Sequence, residues 1–192
     1  ILIVEQGPDI DKRRCPARKR ERGCTLCLPC AITSGWGGAG AFSDGKLTLN
    51  PDIGGWLEEY IGREKLRELI DYVDAVYRRF GAPAEEHGLE TEKIQQLKKQ
   101  AILAELTLIS SRIRHLGTDR CAKVLENMRQ FLGTKVQIKT KTQVQQLLTD
   151  KQKIKGVQTA SGETFLADYV VIAPGREGAD WLVAQARALG LA

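Results

Sequence analysis

The sequence predicts an α/β fold, and three observations carry that expectation. Ile1-Leu2-Ile3-Val4 is a continuous apolar run, the pattern of a strand covered on both faces of a parallel sheet. Leu66, Leu69, Ile70, Val73, Val76 and Tyr77 recur at spacings of three and four, which places them on one face of a helix. From Lys135 onward the pattern turns to period two, and it ends in a second apolar run, Tyr169-Val170-Val171-Ile172-Ala173, that closes on Pro174-Gly175.

The elements follow in order. After the first strand come Glu5 and the turn residues Gln6-Gly7-Pro8. A cysteine-rich and then a glycine-rich segment lead to Leu47-Thr48-Leu49, a short strand before the turn Asn50-Pro51-Asp52. Gly55 to Phe80 reads as mainly helical and is ended by Gly81-Ala82-Pro83. Thr91 caps a helix through about Ala104, with Ile94, Leu97 and Ala101 facing inward, and Leu106 to Ile113 is extended. Gly117-Thr118-Asp119 opens a further helix carrying Val124, Leu125, Met128 and Leu132. Thr118 or Asp119 serves there as a cap, or the helix start also presents N–H groups to a ligand.

Val136 to Lys139, Val144 to Leu148, Lys153 to Ala160 and Glu163 to Phe165 form a small antiparallel meander with one wet face. The apolar run Tyr169–Gly175 returns as a buried strand, and Gly178 to Leu189 is a last amphipathic helix. This plan divides the chain into a first segment 1–49, a mainly helical insertion 50–116, and a continuation 117–192.

Composition narrows the function classes. At 192 residues with 42% hydrophobic residues, the chain can bury a core and is not a disordered segment. It has no apolar run of about 18 residues, so a membrane partner is not expected. Residues 12–22 hold Lys12, Arg13, Arg14, Arg18, Lys19, Arg20 and Arg22 against Glu21 alone, a surplus that exceeds the net charge of +5. The remainder is therefore slightly acidic, which argues against a broad nucleic-acid-binding surface.

The chemistry centres on Ser34-Gly35-Trp36-Gly37-Gly38-Ala39-Gly40-Ala41-Phe42-Ser43-Asp44-Gly45-Lys46. Its glycines suit a loop lying close against a ligand, with N–H groups turned toward an anion. Ser43, Asp44 and Lys46 add a hydroxyl, an acceptor and a cation at the exit. Trp36 and Phe42 argue against a merely flexible linker. Gly35-x-Gly37-x-x-Gly40 fits the letters of a dinucleotide fingerprint, but cysteine-rich sequence precedes it and no regular helix can open at Ala41–Gly45. The clue to a Rossmann-like fold is instead Glu5 at the tip of the first strand, where an acid holds a ribose hydroxyl. A strand that simply ends in a soluble residue is the plain alternative. With no strand and glycine turn before it, the chain reads as a fragment beginning at the second strand of such a fold.

The motifs Gly37-Gly38-Ala39-Gly40-Ala41-Phe42-Ser43-Asp44-Gly45-Lys46-Leu47, Arg114-His115-Leu116-Gly117-Thr118-Asp119-Arg120 and Val170-Val171-Ile172-Ala173-Pro174-Gly175-Arg176 resemble, in that order, a family of bacterial FAD-dependent dehydrogenases of uncharacterised substrate. That family belongs to the glutathione-reductase-type FAD/NAD(P)-binding Rossmann superfamily. The resemblance covers nearly the whole chain. It implies FAD as cofactor, with Glu5 on the adenosine ribose and Gly37, Gly38, Ala39, Gly40, Ser43, Asp44, Gly45 and Lys46 along the pyrophosphate and flavin. It also implies the backbone of Val144 beside the adenine, and close approach of the cofactor at Ala173 and Gly175. Lys46 would stabilise a reduced, anionic flavin or stand solvated at the surface. The chain lacks the family's first strand and its C-terminal region, so alone it is expected to bind FAD weakly. The partner is then a small-molecule substrate or an electron carrier.

Cys15, Cys24, Cys27 and Cys30 follow the pattern C-x8-C-x2-C-x2-C. Four thiolates suit zinc or an iron–sulfur cluster, and the neighbouring cations would offset their charge. Redox-active thiols or a disulfide beside the flavin, and reduced cysteines in a structural loop, are the other readings. Cys121, His87 and His115 read as structural. Clustered cysteines favour a reducing, cytoplasmic location. The chain is thus expected to be part of an FAD-dependent oxidoreductase. A zinc-stabilised nucleic-acid-binding module is the rival, and a flavoprotein scaffold without turnover is the third reading.

Overall fold

The computed structural model describes residues 1–19, 23–151 and 153–191. The elements in chain order are strand β1 (Leu2–Val4), strand β2 (Lys46–Thr48), helices α1 (Leu57–Ile61), α2 (Arg63–Arg79) and α3 (Glu92–Leu103), strand β3 (Ile113–His115) and helix α4 (Thr118–Gly133). Strands β4 (Gln137–Lys139), β5 (Val144–Asp150), β6 (Lys153–Thr159) and β7 (Thr164–Leu166) follow, and helix α5 (Ala179–Ala188) closes the order. The chain is therefore a mixed α/β protein with small sheets. It divides into one unit of Ile1–Phe42 with Leu125–Ala192 and another of Ser43–Val124, the boundary falling within α4. Among the described residues no helix is long and apolar enough to cross a membrane.

In the first unit β1 runs parallel to β4, with Ile3 opposite Ile138. The expected parallel strand is present, but Leu2, Ile3 and Val4 are half-buried rather than covered on both faces. Val136–Lys139 was expected in the meander; Gln137–Lys139 joins β1 instead, because alternation marks a strand without specifying its partner. The ladder continues past the strand end: Glu5 N–H donates to Lys139 O at 2.9 Å and Thr142 N–H to Glu5 O at 2.9 Å. Strands β5, β6 and β7 form the expected antiparallel meander. Gly156 is required within it, since its φ is +149° and a Cβ would lie 2.0 Å from Phe165 O.

The returning segment Tyr169–Gly175 corrects the sequence expectation. It pairs with no strand among the described residues, and Tyr169 and Val171 are 91% and 92% exposed. Apolar, β-branched composition favours a strand but does not supply the neighbour whose ladder would bury it. The final helix is where the sequence places it, starting after Gly178.

In the second unit β2 and β3 pair antiparallel, Leu47 opposite Arg114. Gly62, with φ +78°, separates α1 from α2. Thr91 caps α3 by accepting from Ile94 N–H at 3.3 Å. Leu97 does not face inward as expected; it is 44% exposed, while Ile94 and Ala101 are half-buried. Thr118 is the first residue of α4 rather than a residue preceding it. Leu49, Leu116, Cys121 and Val124 are buried, so Cys121 packs as expected and burial pushes its thiol upward. His87 exchanges backbone hydrogen bonds with Ile113, a structural placement.

An ionic knot closes this unit. Arg114 is fully buried, its Nε and Nη2 donating to the two oxygens of Asp74 at 2.5 and 2.7 Å. Its Nη1 donates to Pro83 O, Ala84 O and Glu85 O, and Nη2 also reaches Glu86 at 2.9 Å.

Candidate functional site

The site in the first unit is built where β1 ends. Glu5 turns its carboxylate back toward the chain, and Oε1 accepts from Gly7 N–H at 2.7 Å and Gly35 N–H at 3.1 Å. Among the described residues Oε2 accepts no hydrogen bond. Gly7 and Gly35 meet main chain to main chain: a Cβ on Gly7 would sit 2.4 Å from Gly35 N, and one on Gly35 2.5 Å from Pro8 O. Gly35 also takes φ +119°, which only glycine adopts without strain. Trp36 N–H then donates to Pro8 O at 3.0 Å.

Arg13 fixes the rest of the loop. It is 4% exposed, and its guanidinium donates to Ala31 O, Trp36 O, Gly38 O and Ile32 O at 2.7–2.9 Å. Its ring-facing side lies 4.8 Å from the Phe42 centroid. Burial lowers its pKa, opposed by the charges of Glu5 and Cys30, yet a guanidinium stays protonated throughout. The residue read as part of a basic run is thus an internal bracket, with four carbonyls spending its donors. Arg20, Glu21 and Arg22 of that run lie outside the described residues.

Glu177 organises the other side. One oxygen accepts from Cys30 N–H at 2.9 Å, and the other accepts from the hydroxyls of Thr33 and Ser34 at 2.6 and 2.8 Å. Burial works to raise its pKa, but these donors prevail and hold the carboxyl below its ordinary range. Gln6 donates to Ser34 Oγ at 3.1 Å, so Ser34 links the β1 exit to Glu177. Farther along, Trp36 Nε1 donates to Leu125 O at 3.0 Å, with Arg129 above its ring and ion-paired to Asp9 at 2.8 Å.

These contacts bring Glu5 together with the glycine loop at Gly35. Gly37 packs on Leu125, whereas a Cβ at Gly38 or Gly40 would meet nothing within 4 Å, so the loop is open there. Ala39 and Gly40 lie in a 3-10 turn, Ala39–Phe42. Val144 opens β5 opposite Thr159. Ala173 is exposed on the unpaired segment, and Gly175 takes φ +63° in the turn before Glu177.

Ser43, Asp44, Gly45 and Lys46 fall in the second unit. Ser43 Oγ accepts from Gly45 N–H at 3.1 Å, and exposed Lys46 pairs with exposed Asp44 at 2.7 Å. The Lys46 hydrogen bond holds the Asp44 carboxyl below its ordinary range. Lys46 is therefore a surface cation with a carboxylate neighbour. The same unit has a hollow lined by Asn50, Arg67, Asp71, Glu90 and Arg112, but Arg112 already donates to Asp71 at 2.7 Å.

The four cysteines are not gathered as a metal centre. Among the described residues no group of three or more His, Cys, Asp or Glu is arranged to hold a metal ion. Cys24 and Cys27 are exposed, and Cys15 and Cys30 are half-buried. Cys24 Sγ accepts from Leu26 N–H at 3.4 Å, and Cys27 Sγ lies 3.1 Å from Thr25 Oγ1. Spacing permits four sulfurs to converge; the chain spends Cys30 on a turn anchored by Glu177 instead.

Sequence reading missed Arg13, Glu177 and Arg114 as organising groups. An acid two residues past the Gly175 turn was a legible sign for Glu177. Nothing local distinguished Arg13 from the cations around it.

No family model matches the chain. An uncharacterized protein of Clostridium beijerinckii is 28% identical over 182 residues, covering 93% of this chain and 27% of the relative. Among solved structures, L-amino acid deaminase from Proteus myxofaciens in complex with anthranilate aligns with 93% of this chain and 45% of that chain, at 15% identity and a TM-score of 0.35. The chain therefore spans about a quarter of its sequence relative and under half of that solved chain.

Proposed function

We propose that this chain is the cofactor-holding part of an FAD-dependent oxidoreductase, built on a Rossmann-like fold. The observation that carries the reading is the Glu5 carboxylate at the end of β1. One oxygen is fixed by Gly7 and Gly35, and the other makes no hydrogen bond among the described residues. A carboxylate oriented in this way suits a vicinal diol such as the adenosine ribose. The three sequence motifs and their order add to it.

The residues present fit such a cofactor. Glu5 Oε2 would accept from the ribose, and the open loop at Gly38 and Gly40 leaves room for phosphates to approach the main chain. When bound, the flavin supplies the two-electron chemistry, for which the protein provides position and electrostatics. Arg13 keeps the loop in place by binding its carbonyls, and Glu5 orients both the loop and the ribose.

The test is bound flavin in the purified full-length protein, read by absorbance, with FAD titrated into the apoprotein. Glu5→Ala should weaken binding about 10- to 100-fold, the worth of hydrogen bonds to a charged group. Glu5→Gln should keep the loop and lose part of the affinity. A protein that binds no flavin at all would end the proposal; flavin bound with no turnover would reduce it to a scaffold.

A further inference from the structure

We propose that Cys27 and Cys30 form a reversible dithiol–disulfide pair, with Cys30 the attacking thiolate and a low-molecular-weight disulfide as its substrate. The proposal stands apart from the flavin reading and places its chemistry on two thiols that reading leaves idle.

The two cysteines sit in Cys27-Leu28-Pro29-Cys30, the spacing at which a single turn can bring two sulfurs together. Their surroundings differ in the way such a pair needs. Cys30 is half-buried and fixed on both sides of its Cα: its N–H donates to Glu177 at 2.9 Å, and its carbonyl accepts from Thr33 N–H and Ser34 N–H at 3.0 and 2.8 Å. The main-chain N–H groups of Ile32 and Thr33 lead the effects that hold this thiol below its ordinary pKa, against burial and Glu177. The Arg13 guanidinium, bound to the carbonyls of Ala31 and Ile32 on the same turn, adds a fixed positive charge. Cys27 lies in the exposed stretch of residues 23–29, which has no regular secondary structure, so it can approach Cys30.

The exchange balances. The Cys30 thiolate attacks one sulfur of R–S–S–R, forming the mixed disulfide Cys30–S–S–R and expelling R–S⁻. Cys27 loses its proton to solvent, and its thiolate attacks Cys30 Sγ, forming the Cys27–Cys30 bond and expelling the second R–S⁻. Two protein thiols are oxidised, one external disulfide is reduced, and the two protons end on the two released thiols.

The experiment equilibrates the purified full-length protein with graded ratios of reduced and oxidised glutathione, quenches with acid, alkylates, and weighs the tryptic peptide Gly23–Lys46. That peptide should pass from three alkylated cysteines to one alkylated cysteine and an internal disulfide, with the remaining label on Cys24. Cys27→Ser should accumulate the glutathione adduct on Cys30. Cys24→Ser should leave the transition unchanged. In the wild-type protein at pH 7, Cys30 should also be alkylated faster than Cys24, a readout that requires no variant to fold. The proposal is overturned if the three thiols stay reduced at the most oxidising ratio, if Cys30→Ser still forms the disulfide, or if zinc or iron shields them from alkylation.

Discussion

Arg13 and Arg114 are both buried cations, and they are satisfied in opposite ways. Arg114 is neutralised by Asp74 and Glu86, whereas Arg13 is surrounded by main-chain carbonyls. Truncating either leaves acceptors unpaired where the guanidinium is now buried, but only the loss of Arg114 strands a carboxylate. Arg114→Met should therefore lower stability by about 3–5 kcal/mol, measured by denaturant unfolding. Asp74 gives the same knot a pH dependence. The Arg114 hydrogen bond holds its carboxyl below the ordinary range, so its contribution is complete above the unfolded pKa of about 4. That contribution is lost as pH falls through the folded value. Melting temperature should drop on acidification below about pH 4 in the parent protein, and the drop should be smaller in Asp74→Asn.

At the scale of elements, the meander and the loop around Glu5 depend on glycines that permit main-chain contact. Gly156→Ala places a methyl group against Phe165 O while demanding φ +149° of an alanine. It should cost about 2 kcal/mol or more and accelerate amide exchange in β6 and β7. Here local pattern was informative: period two located β5 to β7, the Thr91 cap located α3, and Gly81 ended the helical stretch that Gly62 divides into α1 and α2. Partnership was not legible. Val136–Lys139 has the same alternation as the meander strands, yet it pairs with β1, a contact across more than a hundred residues. Tyr169–Gly175 has the composition of a buried strand and lacks the ladder. Composition reports what a segment can bury, whereas pairing depends on what the rest of the fold puts beside it.

For the molecule as a whole, the apolar interior is thin. Among the described residues the buried hydrophobic side chains are few and none is aromatic, while Tyr169, Val171, Trp56 and Tyr60 stand largely in solvent. Exposed apolar groups on an unpaired extended segment invite association between chains. The 192-residue chain should therefore self-associate at concentrations where a Tyr169→Lys/Val171→Lys variant remains monodisperse by light scattering; equal behaviour of the two would count against this. The candidate site was legible at Glu5 and the glycine loop because an acid at a strand tip and clustered glycines are local signals. Its supports were harder to read: Glu177 had a local sign in its place after the Gly175 turn, but its partners at Cys30, Thr33 and Ser34, like those of Arg13, lie at long sequence separations.

That separation has a consequence in time. Glu177 anchors Cys30 from 147 residues downstream. During synthesis at about 5–20 residues per second, the cysteine segment emerges roughly 7–30 s before its anchor exists. Throughout that interval the turn at Cys30 can draw on the Thr33 and Ser34 hydrogen bonds to its carbonyl and on Arg13, but its own N–H has no anchor. The nascent protein thus meets its oxidants with this turn held only from within, and the arrival of Glu177 ties it to a segment made much later.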